Sequence, residues 1–567
     1  MAAPQSDRAL LSERSALIAL LLLAAFLFFF KLGSIYLFDV DEAVFSEATR
    51  EMVETGDWIT PHYNYVNRYD KPILFYWMMA LSYRLFGINE FGARFSSAFM
   101  GVALVWMTYR FVRSLRGHRA GLISALILAT SLEIIGLAHS AITDMTLTFF
   151  TAAALFGFFQ GYAATEPEKK RWGYWGCFIG MALAVLTKGL IGIVFPGAII
   201  LLFVLLTGRW PVVLKEARPV SGTLLFMAVA LPWYLLEFSV NGLEFFQAFF
   251  IKHHFTRYTE VVSGHRGPFY YFVLVVLIGF FPWSALFPAA LYQAIPKNLK
   301  GLRDQSPDRQ ITLFALLWFA VIFLFFSASQ TKLPNYIATL FPAMAILVGL
   351  WWEERSAADR ALKYSAFSLI ALGLLLGTGF LIAPWIAMKI QAELPPSPFF
   401  DVLPEIMTPL KIIAAELLIG MTAAALFLKS FQKERAFATM VGTMLLFTAT
   451  LIATVGPAVA EAVQGPLHDY AKLAGEQLRG EENLVVYGLN KPSVVFYARH
   501  SIVPFIRHEP QALEALKKIL AAPERSLIIT KSKLVPELQK ETSFVLIDQR
   551  GAYALGSNRP PSAPPTP

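Results

Sequence analysis

The chain has 567 residues, 56% of them hydrophobic and only 16% charged, with a mean hydropathy of +0.54. A soluble protein of this length carries more charge, so the composition points to a polytopic membrane protein. The net charge of +8 is not gathered on a soluble basic domain, which sets nucleic acid aside as a partner, and the single cysteine, Cys177, excludes an intrachain disulfide and a cysteine metal cluster.

Arg8 and Arg14 precede an apolar run over residues 16–30 that ends in FFFKLG without a small-residue cleavage site, so it reads as a retained first span. Residues 38–72 follow, a polar and acidic stretch between apolar runs. In it Asp41-Glu42 opens a helical pattern, Gly56-Asp57-Trp58 marks a turn, and Tyr69-Asp70-Lys71-Pro72 closes the stretch. Residues 73–83 are apolar but number only about a dozen, which suits an interfacial or re-entrant helix better than a span. A bilayer crossing needs about 20 predominantly apolar residues, and about thirteen segments qualify. Their centres lie near Leu23, Val102, Leu128, Leu155, Leu183, Val194, Ala228, Leu277, Phe319, Met344, Leu374, Leu418 and Leu446. Residues 1–456 therefore form a transmembrane domain, with outer loops over 33–90 and 239–267. Short apolar stretches alternating with polar helical patterns over 457–556 read as a small α/β domain, and 557–567 as a disordered Pro-rich tail.

Loops over 110–119, 166–171, 208–218, 297–309, 353–363 and 429–435 are rich in Lys and Arg and alternate with loops that are not, so they face the cytoplasm. That topology puts residues 38–72 and the α/β domain on the extracytoplasmic face of the membrane. It also gathers unusual polar residues there: Asp41, Asp70, Lys71, His139, Asp144, Lys188, His253, His254, Arg257, Tyr258, Lys332 and Tyr336. Each has an ordinary reading alone, Lys188 by snorkelling and Asp144 by capping a helix. Ionisable groups at membrane depth are costly, and a shared side suggests a shared cavity. Transfer of a group from a lipid phosphate suits such a cavity. Cations such as Lys71, Arg257 and Lys332, with the Tyr336 hydroxyl, would hold the leaving phosphate, and Asp41 or Asp144 would serve the acceptor. Asp70 with one of His253 and His254 gives a carboxylate and an imidazole, a ligand pair that admits zinc or manganese. No nucleotide or organic cofactor is expected.

The motifs extend this reading. The pattern DEAVFSEATREM…GDW…P…YDKP resembles the first large outer loop of the aminoarabinose transferase (ArnT-like) and protein mannosyltransferase group, membrane glycosyltransferases of the GT-C class. Asp70-Lys71-Pro72 resembles that group's E-K-P triplet with Asp for Glu, and Leu186–Gly189 its L-x-K-G element. Residues 254–258 resemble its H-F-x-R-F element, 329–336 its S-x-x-K-L-P-x-Y element, and Asp144 the acidic residue after the third span. The resemblance implies a polyprenyl-phosphate-sugar donor whose phosphate meets Lys71, Arg257 and Tyr336. It implies a metal on Asp70 and His254, and a transfer served by Asp41 and Asp144. Lys188 and Lys332 join the donor site. The fold class expected is a GT-C α-helical membrane protein carrying an extracytoplasmic α/β domain. The activity expected is sugar transfer from undecaprenyl phosphate to an envelope acceptor, with aminoarabinose to a lipid A phosphate as the leading pairing. Protein O-mannosyl transfer or transfer to another glycan is the alternative. Secondary transport fits less well, because the polar residues favour one face over the midplane.

Overall fold

The computed structural model describes residues 4–249, 267–298, 300–303, 305–391, 398–479, 482–505 and 512–559. Each of the thirteen expected centres falls within a helix. Among the described residues, eight helices are long and apolar enough to cross a membrane, or nine if one bent pair counts as a span. The difference from thirteen has local causes. Helix α4, Glu90–Ala129, carries two of the centres and doubles back at Gly117 (φ 85°). A Cβ at Gly121 would lie 2.9 Å from the Tyr109 carbonyl oxygen, so the two halves pack side by side. Helix α7, Pro167–Lys188, has charges in its first turns, and α8, Ile191–Thr207, is short. The stretch around Leu277 is divided into helices Tyr271–Gly279 and Phe287–Ala294 with a short 3-10 turn between.

Small residues let the central helices approach closely, as expected where lipid supplies no hydrophobic drive between helices. Helix α6, Thr143–Ala163, lies on α7 through Gly157, Gly161 and Ala154 against Cys177, Gly173 and Gly180. A Cβ on Gly173 would sit 2.4 Å from the Gly161 nitrogen. Helix α5, Leu132–Ala138, meets α6 at 117° across a short turn.

The polar stretch after α1, Pro4–Phe29, is built on α2, Asp41–Thr55. Two acids in its first turn complement the helix N-terminus, and Gly56 in the left-handed conformation (φ 74°) ends it by donating to the Met52 carbonyl. The Asp57 carboxylate then accepts from the Ile59 and Thr60 amides, 3.0 Å each, turning the chain. Strands β1, His62–Tyr63, and β2, Val66–Asn67, form a hairpin whose turn residues, Asn64 and Tyr65, both have positive φ. Helix α3, Leu74–Phe86, is the short helix expected over 73–83. It leaves Trp77, Leu81 and Leu85 exposed four residues apart along one face, a pattern fitting an interfacial position.

One buried ion pair ties these pieces together. Arg94 of α4 binds Glu42 of α2 through two bonds, Nε to Oε1 at 2.7 Å and Nη2 to Oε2 at 2.8 Å. The same guanidinium donates to the carbonyls of Leu32, Ile35 and Tyr36, and the same carboxylate accepts from the Phe38 and Ala141 amides.

The C-terminal part holds a five-stranded sheet in the order β4-β3-β5-β7-β6. Strands β3 (Asn483–Tyr487), β4 (Ile502–Phe505) and β5 (Ser526–Lys531) run parallel, and β6 (Val545–Arg550) and β7 (Tyr553–Ser557) complete it antiparallel. Alternate residues of β3 serve two cores. Leu484 and Val486 pack towards Leu467 and Tyr470 of helix Gly456–Gln477, and Val485 and Tyr487 towards Leu516 and Leu538. This part docks on the polar stretch. The buried Asp39 carboxylate accepts from the Ser493 amide and hydroxyl, both 2.8 Å, and Tyr497 takes the Leu37 amide and donates to Glu90. The Asn64 side chain meets the backbone of Ile502 twice, at 2.9 and 2.7 Å.

Removing either partner of the Glu42–Arg94 pair strands a charge in a dry site. Arg94→Ala or Glu42→Ala is therefore expected to lower stability by about 3–5 kcal/mol, read from unfolding of the purified protein in detergent, while Arg84→Ala on the surface changes it little.

Candidate active site

The structure brings the described candidates into two groups. The first joins α6, α7 and the 3-10 turn Pro334–Leu340. Asp144 stands in the first turn of α6, and Lys188 is the last residue of α7, where Gly189 (φ 80°) ends the helix. Lys188 Nζ donates to Asp144 Oδ1 at 2.6 Å and lies 5.6 Å from the centre of the Tyr336 ring. The pair is largely buried, with the two side chains 16% and 5% exposed. An ammonium bound this closely orients the carboxylate and takes a lone pair that a base would use. Glu133, absent from the sequence candidates, lies within electrostatic reach of Asp144, close to Gly279. Its signal was an acid in the apolar run SLEIIGLA.

The second group is the end of the polar stretch. Asp41 is the exposed first residue of α2, whereas the next residue, Glu42, points inward to Arg94. Arg68 Nη2 binds Asp70 Oδ2 at 2.6 Å, and Lys71 Nζ donates to the Asp70 carbonyl at 3.1 Å. Asp41, Asp70 and Tyr76 all lie within electrostatic reach of the Arg68 guanidinium. Arg68 was missed, although residues i and i+2 of extended chain point to one side, so NRYD carried the signal.

Chain neighbours of both groups, among them Leu37, Ala43, Tyr69, Ile73, Ala141 and Leu186, belong to one buried cluster. Lys332 turns elsewhere. Its ammonium donates to the carbonyls of Phe326 (3.2 Å) and Ser327 (2.9 Å) at the end of helix Pro307–Ala328, and lies 5.2 Å from the Phe272 ring centre. His253, His254, Arg257 and Tyr258 lie outside the described residues.

The described residues do not by themselves make a metal centre. Among them no group of three or more His, Cys, Asp or Glu is placed to hold an ion, and one oxygen of the expected ligand Asp70 is held by a guanidinium.

Helix α2 carries a further acidic cluster. Arg50 is bound by Glu47 and Glu54, and Glu51 accepts from the Tyr65 amide at 2.8 Å. Burial, then a hydrogen bond with Glu47, pushes the Glu51 carboxyl up to about 8.

Against known proteins, residues 70–235 match the family described as dolichyl-phosphate-mannose-protein mannosyltransferase, and 477–557 the C-terminal domain of cyanobacterial RgtA-type glycosyltransferases. The structure superposes on the crystal structure of ArnT from Cupriavidus metallidurans bound to undecaprenyl phosphate. The TM-score is 0.82 and the identity 25%, over 97% of this chain and 99% of that one. The chain has an ArnT-like GT-C fold. The archaeal oligosaccharyltransferase AglB of Archaeoglobus fulgidus shares the fold alone, with a TM-score of 0.53 at 12% identity over 96% of this chain and 74% of that one. In sequence, the undecaprenyl phosphate-alpha-4-amino-4-deoxy-L-arabinose arabinosyl transferase of Enterobacter sp. (strain 638) is 30% identical over 66% of each chain. That of Pectobacterium carotovorum subsp. carotovorum (strain PC1) is 31% identical over 62% of each chain. The alignments thus span 62% to 66% of the length of these relatives. The ArnT-like resemblance read from the motifs holds, and with it the reading as a multi-pass membrane protein.

Because the folded state keeps a proton on Glu51 that the unfolded chain releases at lower pH, stability falls as pH rises from the ordinary glutamate range towards about 8. Glu51→Gln removes that loss. Its melting temperature should match wild type at about pH 5 and exceed it at about pH 9, measured by thermal unfolding across a pH series.

Proposed function

We propose that this protein transfers a sugar from an undecaprenyl phosphate-sugar to an envelope acceptor at the outer face of the inner membrane, with aminoarabinose and a lipid A phosphate as the leading pair. The observation that carries the reading is the meeting of Asp144, Lys188 and Tyr336, drawn from three distant segments of the chain. A carboxylate, an ammonium and a phenol in one partly buried site suit a reaction that expels a lipid phosphate. The names of the arabinosyl transferases, and the lipid bound by the Cupriavidus ArnT, support the donor.

In this reading the anomeric carbon–oxygen bond to the lipid phosphate breaks as a bond to the acceptor oxygen forms. Undecaprenyl phosphate leaves with the electron pair, and cations stabilise its charge. Lys71 and Arg257 serve the phosphate, with Tyr336 as hydroxyl donor. Lys188 contributes charge while positioning Asp144. Lys332, bound to the Phe326 and Ser327 carbonyls, adds positive charge four residues before Tyr336. Asp41, exposed at the start of α2, serves the acceptor. A phosphate acceptor is already anionic and needs no base, so Asp41 then orients it through a neighbouring cation; an alcohol acceptor gives Asp41 its proton. Asp70 is held by Arg68, and no step runs through a metal.

Mass spectrometry of lipid A from cells with and without the gene tests the acceptor: loss of the aminoarabinose mass on deletion is expected, and an unchanged lipid A with altered glycosylation of another envelope molecule would overturn that pairing. With purified protein, Lys71→Ala should abolish most transfer while leaving thermal unfolding close to wild type. The Asp41→Asn, Asp144→Asn double variant should lose roughly 10² to 10⁴ in rate if the acceptor is an alcohol. For sidedness, Cys177 is buried and provides a quiet background. A cysteine at the exposed Val66 should label from outside intact spheroplasts, and one at the exposed Tyr292 only after lysis.

A further inference from the structure

We propose that Arg68 is the built-in counter-cation of Asp70, filling the electrostatic place a divalent ion would take, so that the donor site of this chain works without metal. The proposal rests on the transfer reading above and deepens it. A divalent ion held by a carboxylate beside a lipid phosphate does two things: it fixes the carboxylate, and it adds positive charge where the leaving phosphate develops negative charge. The Arg68 guanidinium supplies both from the chain itself. It approaches Asp70 Oδ2 at 2.6 Å, with side chains only 21% and 31% exposed, so solvent screens the pair weakly. Only Tyr69 separates them in the chain, just after strand β2, so the pairing is local and owes little to chance encounter of long side chains. The guanidinium plane is braced on one side by the Tyr63 ring, whose centre lies 6.0 Å away.

Two buried groups point the same way. Arg68 Nε and the Tyr76 hydroxyl are each buried without a hydrogen-bond partner. Unmet donors beside a phosphate site are costly unless an anion or water completes them. A phosphate oxygen arriving next to Lys71 would find both. A divalent cation arriving at Asp70 would instead meet a like charge fixed at hydrogen-bond distance from the oxygen it needs. Arginine also cannot lose its proton at any working pH, so this cation is permanent.

The test uses the full chain in lipid nanodiscs, purified after growth with zinc and manganese. Elemental analysis should find substoichiometric zinc and manganese, and neither ion should raise the melting temperature. Binding of undecaprenyl phosphate should survive EDTA unchanged. Arg68→Ala should weaken that binding by roughly tenfold or more, while Arg68→Lys retains part of it. Asp70→Asn added to Arg68→Ala should cost little further, because the two act as one unit. Thermal unfolding separates loss of folding from loss of affinity, and the lysine variant keeps the charge if the alanine variant is unstable. Stoichiometric metal that is lost in Asp70→Asn, or abolition of undecaprenyl phosphate binding by EDTA, would overturn the proposal. Metal content is independent of catalysis, so these outcomes remain distinct from failure of the transfer reading, in which wild type would not bind the lipid phosphate at all.

Discussion

The arrangement of the site depends on a salt bridge that takes no part in it. Glu42 and Arg94 are almost wholly removed from solvent, and taking two charges out of water is affordable only when their remaining donors and acceptors are met. Here they are: the carboxylate receives two backbone amides besides the guanidinium, and the guanidinium reaches three carbonyls. The partners come from the segment after α1, the start of α2, helix α4 and the turn between α5 and α6. That single knot fixes where α2 begins and where the turn leading to Asp144 lies. It also explains why adjacent acids have opposite fates. Successive residues of a helix point about 100° apart, so anchoring Glu42 inward turns Asp41 towards solvent.

Charge within the site is compensated locally. Asp144 has Lys188 and Asp70 has Arg68, each at 2.6 Å, so two of the three candidate carboxylates carry their own cation. Such pairing keeps carboxylates tolerable near a lipid boundary and fixes their direction. In the proposed reaction, a donor phosphate would meet cations already shared with carboxylates, a setting that favours release of the product as much as capture of the donor.

Much of this was legible in the sequence. Apolar runs placed every span centre within a helix, and the K-G step of LTKG placed Lys188 at a helix end, where glycine stops the helix. What escaped depended on the third dimension. Asp144 and Lys188 are 44 residues apart, and only the close packing of glycine faces on α6 and α7 brings them together. The bonds of Lys332 to the carbonyls at the end of helix Pro307–Ala328 were likewise not legible in the sequence. The span count exceeded the helices long enough to cross because hydropathy does not register a reversal at Gly117 or the breaks around Pro282 and Leu286.

The Asn64 amide has a consequence for the sheet it touches. Strand β4 is an edge strand, and Asn64 occupies both the amide and the carbonyl of its first residue, Ile502, much as another strand would. The opposite edge, β6, is guarded differently, by a register shift between Leu546 and Asp548 and by the charged Asp548 and Arg550. One edge is thus self-protected and the first residue of the other is guarded by the hairpin of the polar stretch. Severed from that part, the C-terminal sheet would present a bare edge with apolar neighbours, a template for strand pairing between copies. Solubility of the C-terminal sheet is in this sense a property of the whole molecule.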